Sequence, residues 1–166
     1  MLDLMYVPLN NGTLRKALTS PWFDCWNRNA LDLLIESEQV PADFALVLLD
    51  VDKLKQANEL YGKEGSSLRI RRSLGREKDK LYCVFSGDEM AAFVPASDAV
   101  GFAQRLQSEL HSNGLSATFV ISDCEGNWSD TLDYVSNVND CVKQMGLRDV
   151  IVDYRTMEKY FDTIPQ

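Results

Sequence analysis

The run Phe44-Ala45-Leu46-Val47-Leu48-Leu49-Asp50-Val51 constrains this chain more than any other stretch. It is continuously apolar except for Asp50, and it has the length of a strand. A strand with no polar face belongs in the middle of a sheet, with helices packed on both sides. Asp50 is therefore a carboxylate near the end of a central strand, where a charged group needs a partner or a task.

The second informative stretch runs from Leu81 to Val94. Two apolar arms flank Gly87-Asp88, the pattern of a β-hairpin. Leu81, Cys83 and Phe85 face one way along the first arm, Tyr82 and Val84 the other. Gly87 suits the first central position of a type II′ turn, where φ must be positive. Asp88 and Glu89 follow as adjacent acids at the tip. A hairpin has no need of them there, whereas a metal or nucleotide site has.

The remaining elements follow from periodicity. Residues 1–20 read as an irregular lead-in with a short helix near Leu14–Leu18. Trp26 to Glu38 is compatible with a helix ended by Pro41. Lys53–Tyr61 and Gly65–Leu74 read as two short helices broken near Gly62, the second rich in arginine and read as a solvated face. Ser97 is the expected N-cap of a helix carrying Val100, Phe102, Ala103, Leu106 and Leu110. Leu115–Ile121 is a strand. Trp128, Leu132, Val135, Val138, Val142 and Met145 mark an amphipathic helix with Gly146 at its C′ position. Val150–Val152 is a last strand. This order implies one α/β (α+β) domain over residues 21–155, built on a sheet of about five strands flanked by helices, with a tail over 156–166. A length of 166 residues suits a single domain.

Charge excludes one class of partner. Lys and Arg number 17 against 25 Asp and Glu, a net charge of −8. Binding a nucleic acid polymer requires clustered cations, so none is expected; a small pocket for a nucleotide with its own Mg²⁺ remains compatible. The four cysteines, Cys25, Cys83, Cys124 and Cys141, have no CxxC spacing and read as small buried thiols of a reducing compartment. There is no signal-peptide pattern and no apolar run of membrane-spanning length, so a cytoplasmic protein without membrane contact is expected.

Four motifs in order carry a family resemblance. Asp50-Val51-Asp52-Lys53-Leu54-Lys55-Gln56-Ala57-Asn58 and the following Tyr61-Gly62 resemble the stretch after the first strand of GGDEF domains, the diguanylate cyclases. Ser86-Gly87-Asp88-Glu89-Met90 resembles their name-giving hairpin motif. Trp26-Asn27-Arg28-Asn29-Ala30-Leu31 and Lys143-Gln144-Met145-Gly146 resemble the flanking motifs upstream and downstream. The resemblance implies a mostly antiparallel, palm-like sheet with a ferredoxin-like core. It also implies condensation of two GTP molecules in a homodimer, each 3′-hydroxyl attacking the other's α-phosphate to give cyclic di-GMP and pyrophosphate.

By that resemblance Asp50, the main chain of Val51 and Asp88 would bind Mg²⁺ or Mn²⁺. Glu89, with Asp88, would assist metal binding or deprotonate the 3′-hydroxyl. Asn58 would read guanine, and Lys55, Ser86, Gly87 and Lys143 would meet phosphates. Arg76 and Asp79 have the RxxD form of the family's inhibitory site. Departures are also visible. Ser86 replaces a glycine and Met90 a phenylalanine. Ser66 stands where a guanine-reading aspartate is expected, and Leu147 takes the place of an arginine. Three readings stay open: an active cyclase, a non-catalytic domain binding GTP or cyclic di-GMP, and another palm-type nucleotidyl transferase.

Overall fold

The computed structural model describes residues 16–84 and 88–156. In chain order the elements are α1 (Arg28–Glu36), β1 (Phe44–Val51), α2 (Leu54–Leu74), a 3₁₀ segment (Gly75–Lys80) and β2 (Leu81–Cys83). There follow β3 (Glu89–Pro95), α3 (Ala99–Ser112), β4 (Ala117–Ser122), α4 (Trp128–Gln144) and β5 (Ile151–Asp153). They form one five-stranded sheet in the order β2-β3-β1-β4-β5. β1 lies in the middle, antiparallel to β3 and β4. Only the β4–β5 pair is parallel, because α4 crosses over between them. This is the sheet of about five strands flanked by helices that the sequence pattern predicts, and its mainly antiparallel pairing is the one the family resemblance implies.

Alternation along the strands builds two cores. Val47, Leu49 and Val51 of β1 join Met90, Phe119, Phe102 and Leu106 on the face covered by α2 and α3. Leu46 and Leu48 join Ala91, Phe93, Val120, Leu31 and Leu132 on the face covered by α1 and α4. A fully buried residue such as Phe102 or Leu48 contributes about 1.5–3 kcal/mol through apolar area alone. With both faces of β1 occupied, Asp50 continues the Leu46–Leu48 face and points towards α4.

Local details refine the sequence expectations. The two helices after β1 merge into α2, kinked at Gly62, whose φ of 73° and ψ of 161° only glycine adopts without strain. Ser97 does not cap α3: residues Ala96–Asp98 form a 3₁₀ turn, and Asp98 precedes the helix with its carboxylate turned to Arg105. Gly146 does terminate α4, at φ 82°, with the Leu147 amide reaching back to the Val142 carbonyl. Cys124 and Cys141 are exposed, contrary to the buried-thiol expectation, because each falls outside the apolar stripes of its segment. Phe85, Ser86 and Gly87, and with them the expected type II′ turn, lie outside the described residues, as do Leu14 and most of the lead-in and tail. Among the described residues no helix is long and apolar enough to cross a membrane.

Candidate functional site

The antiparallel register pairs Asp50 with Glu89 on one side of β1 and with Thr118 on the other. Cross-strand partners share a face, so two carboxylates meet on the α4 side of the sheet, at the end of its middle strand. The Val51 amide donates to the Asp88 carbonyl at 2.9 Å, which holds the hairpin's acidic end against β1. The acids at 50, 88 and 89, distant in sequence, therefore converge.

Helix α4 answers this row with polar side chains at three- and four-residue spacing. Ser136 Oγ donates to Glu89 Oε1 at 3.0 Å. Asn139 Nδ2 donates to Asp50 Oδ2 at 3.0 Å. The Lys143 ammonium lies 2.8 Å from Asp50 Oδ1 and 4.0 Å from Asp52 Oδ1. Residues 136, 139 and 143 follow one helix face, continuing the stripe that Leu132 and Val135 begin. Asp52 is held differently: Thr118 and Ser116 hydroxyls donate to it at 2.7 and 2.8 Å, and the Asp149 amide at 2.8 Å. Its role is to tie the loop after α4 back to the end of β1.

Burial sets the electrostatics. Desolvation pushes the Asp50 carboxyl above its ordinary range; Lys143 and Asn139 oppose this, and the charge of Asp88 adds to it. Glu89 is pushed up to about 7, again first by burial and then by Asp50, Asp140 and Asp88, against the Ser136 hydrogen bond. Two carboxylates opposite one another cannot both ionise cheaply. Here one takes an ammonium and the other keeps a proton to near neutrality.

The base-reading candidate sits elsewhere. Asn58 lines a cavity of about 700 Å³ with Leu54, Lys63, Trp22, Arg28 and Val84, a size ordinary for small-ligand sites. Ser67, not Ser66, accompanies Asn58 in its wall. Ser66 is buried with its hydroxyl lacking a hydrogen-bond partner among the described residues. Val84 links cavity and cluster, since its amide donates to the Glu89 carbonyl at 2.9 Å. Lys55 is exposed on the first turn of α2 and makes no ion pair among the described residues. Ser86 and Gly87 lie outside the described residues. Arg76 and Asp79 are both exposed on the 3₁₀ segment, at the opposite end of β2 from the hairpin turn.

Asn139, Ser136, Thr118 and Ser67 were not singled out from the sequence. The signal for the first two was present: polar residues spaced like the apolar stripe of their own helix. Oxygen donors dominate the cluster, with Asn139 Oδ1 a buried oxygen lacking a partner among the described residues. That donor set fits a hard divalent cation. No group of three or more His, Cys, Asp or Glu among the described residues could hold a metal ion.

No protein-family model matches the sequence, and no curated protein does. Solved structures match closely in shape. A microbial GGDEF domain studied with cyclic di-GMP superposes with a TM-score of 0.71 at 20% identity, over 84% of this chain and 98% of that one. The diguanylate cyclase SiaD of Pseudomonas aeruginosa, solved with its activator SiaC, gives 0.66 at 18% identity, over 90% of this chain and 66% of its own. The GGDEF domain of DgcB from Caulobacter crescentus, bound to cyclic di-GMP, gives 0.61 at 18% identity, over 82% and 92%. At such identities what is shared is the architecture, and this chain has the GGDEF-domain fold.

Proposed function

We propose that this domain binds GTP with a divalent cation, as a nucleotide site of the diguanylate-cyclase type. The observation supporting it most strongly is the cross-strand pair Asp50–Glu89 with the Lys143 ammonium set against it at the end of the central strand. Asp50, the main-chain oxygen of Val51 and Asp88 would hold Mg²⁺ or Mn²⁺, which supplies charge neutralisation for the triphosphate. Lys143, released from Asp50, offers its ammonium to phosphate oxygens, and Lys55 adds a second point charge. Asn58 meets the guanine edge, while Ser86 and Gly87 approach the phosphates. Glu89, with a carboxyl that titrates near neutrality, is suited to take the 3′-hydroxyl proton. Two such sites facing each other in a homodimer would condense two GTP into cyclic di-GMP and pyrophosphate. Arg76 and Asp79 would form the inhibitory contact with the product.

A second reading, binding of GTP or cyclic di-GMP without turnover, is favoured by two observations. A serine, Ser67, rather than an acid shares the cavity wall with Asn58, and Leu147 stands exposed where an arginine is expected. The discriminating experiment incubates purified protein with GTP and Mg²⁺ and follows binding, pyrophosphate and cyclic di-GMP together. Product that is lost in Asp88→Ala supports the cyclase. Saturable binding of either nucleotide without product supports the second reading. Turnover of ATP in place of GTP points to a different palm-type transferase. No binding of either nucleotide and no turnover removes all three.

A further inference from the structure

Outside the carboxylate cluster, two thiols far apart in sequence are brought together. We propose that Cys25 and Cys83 form a reversible dithiol–disulfide pair, a modification site for small disulfides such as oxidised glutathione, entered through Cys83. The Trp26 amide donates to the Leu81 carbonyl at 3.0 Å and the Cys83 amide to the Trp26 carbonyl at 2.8 Å. These bonds lay the segment before α1 alongside β2 in parallel. Alternation then sends Trp26 and Tyr82 into the core under α1 and α4, and Cys25 and Cys83 to the opposite face. Their sulfurs lie 3.5 Å apart, and both thiols are free.

The two differ in access. Cys25 is buried, 2% exposed, whereas Cys83 is half-buried and lines the same cavity as Asn58. A reagent entering the cavity meets only Cys83. Contacts with Cys25 and the Ser20 side chain hold the Cys83 thiol below its usual range, and its place in the cavity wall makes it the nucleophile. The Cys25 thiol is held up chiefly by that same contact with Cys83. Once Cys83 carries an adduct, that contact is gone and burial is what still holds the Cys25 thiol up, with the Cys83 sulfur as its neighbour.

The chemistry balances with oxidised glutathione as the oxidant. The Cys83 thiolate attacks one glutathione sulfur, forming a Cys83–glutathione disulfide and expelling one glutathione thiolate, which takes a proton. Cys25 then loses its proton and attacks the Cys83 sulfur, expelling the second glutathione. Two protein thiols become one disulfide, and one glutathione disulfide becomes two thiols. The sulfurs must close from 3.5 Å to about 2.05 Å. The turn bearing Cys25 has Pro21, Trp22 and Asp24 on the surface, tied to the rest of the fold by the Asp24–Lys78 ion pair, the Lys63–Trp22 contact and buried Phe23, and the adjustment falls on this turn. The bond would tie the turn carrying Trp22 to the β2 wall of the cavity. The pair stands whether or not that cavity takes a nucleotide.

The test uses the full chain with Cys124→Ser and Cys141→Ser, equilibrated in mixtures of reduced and oxidised glutathione. Thiols are counted and peptides mapped by mass spectrometry. The expected result is the loss of both titratable thiols and a Cys25–Cys83 linked peptide, restored to free thiols by dithiothreitol. With Cys25→Ser, Cys83 is expected to trap one glutathione; with Cys83→Ser, Cys25 is expected to stay unmodified. Should a serine variant fail to fold by circular dichroism, the linked peptide in the parent protein decides alone. Two thiols still titratable after oxidation and unfolding, or glutathione found first on Cys25, would overturn the proposal.

Discussion

Asp50 and Glu89 face each other as one cross-strand pair on the α4 side of the sheet, two carboxylates where a stable sheet would place opposite charges or apolar groups. The molecule resolves the conflict with Lys143 and Asn139 on Asp50, and with Ser136 and a retained proton on Glu89. A cluster this costly to assemble, at the end of the central strand, is the natural place for a ligand that brings its own positive charge.

Lys143 is the first test of that balance. Lys143→Met leaves Asp50 buried without its counter-charge and is expected to cost about 2 kcal/mol, less than for a wholly buried pair because the lysine is 19% exposed. Adding Asp50→Asn should recover part of the loss. Urea denaturation of the two single variants and the double one measures the coupling; purely additive losses would show that the ion pair contributes nothing.

Glu89 makes stability fall as pH rises. Its carboxyl titrates ordinarily near 4.5 and in the fold near 7, so between these values the folded chain holds a proton that the unfolded chain has lost. The urea midpoint should therefore decline from about pH 4.5 to pH 7 and level off above. Glu89→Gln should flatten that decline, and Ser136→Ala, by removing the hydrogen bond that favours the anion, should extend it upwards.

Much of this site was legible in the residues. Asp50 announced itself as the one charge in an apolar run, and Asp88-Glu89 as needless acids on a hairpin. The Asp50–Glu89 pairing was not legible, because register between strands separated by a long helix depends on packing rather than on local pattern. That Ser67 rather than Ser66 lines the cavity beside Asn58 was not legible either, because the kink at Gly62 shifts the phase of α2, and a helix phase carried across a break is lost. Asn139 was overlooked as one more polar residue on an amphipathic helix, although its spacing from Val135 matched the buried stripe.

Asn139 repays that oversight with a clear expectation. Its amide is fully buried and donates to Asp50, so Asn139→Leu leaves a buried carboxylate oxygen unsatisfied and should cost about 1–3 kcal/mol. Asn139→Asp should be worse, adding a third acid to the pair. Thermal or urea unfolding ranks the two; an unchanged midpoint in both would mean that Asp50 finds another donor.

Asn58 tests the cavity separately from the carboxylates. It is half-buried in the wall shared with Ser67 and touches no member of the acidic cluster through any hydrogen bond among the described residues. Asn58→Ala should therefore leave the unfolding midpoint nearly unchanged while weakening GTP binding about tenfold, the equivalent of one hydrogen-bonded base edge at about 1.4 kcal/mol. Calorimetric titration with GTP and with ATP reads both affinity and base preference. A loss equal for the two nucleotides would place the base away from Asn58. A tenfold loss confined to GTP would make the cavity the guanine site and leave the phosphates to the cluster at the end of β1.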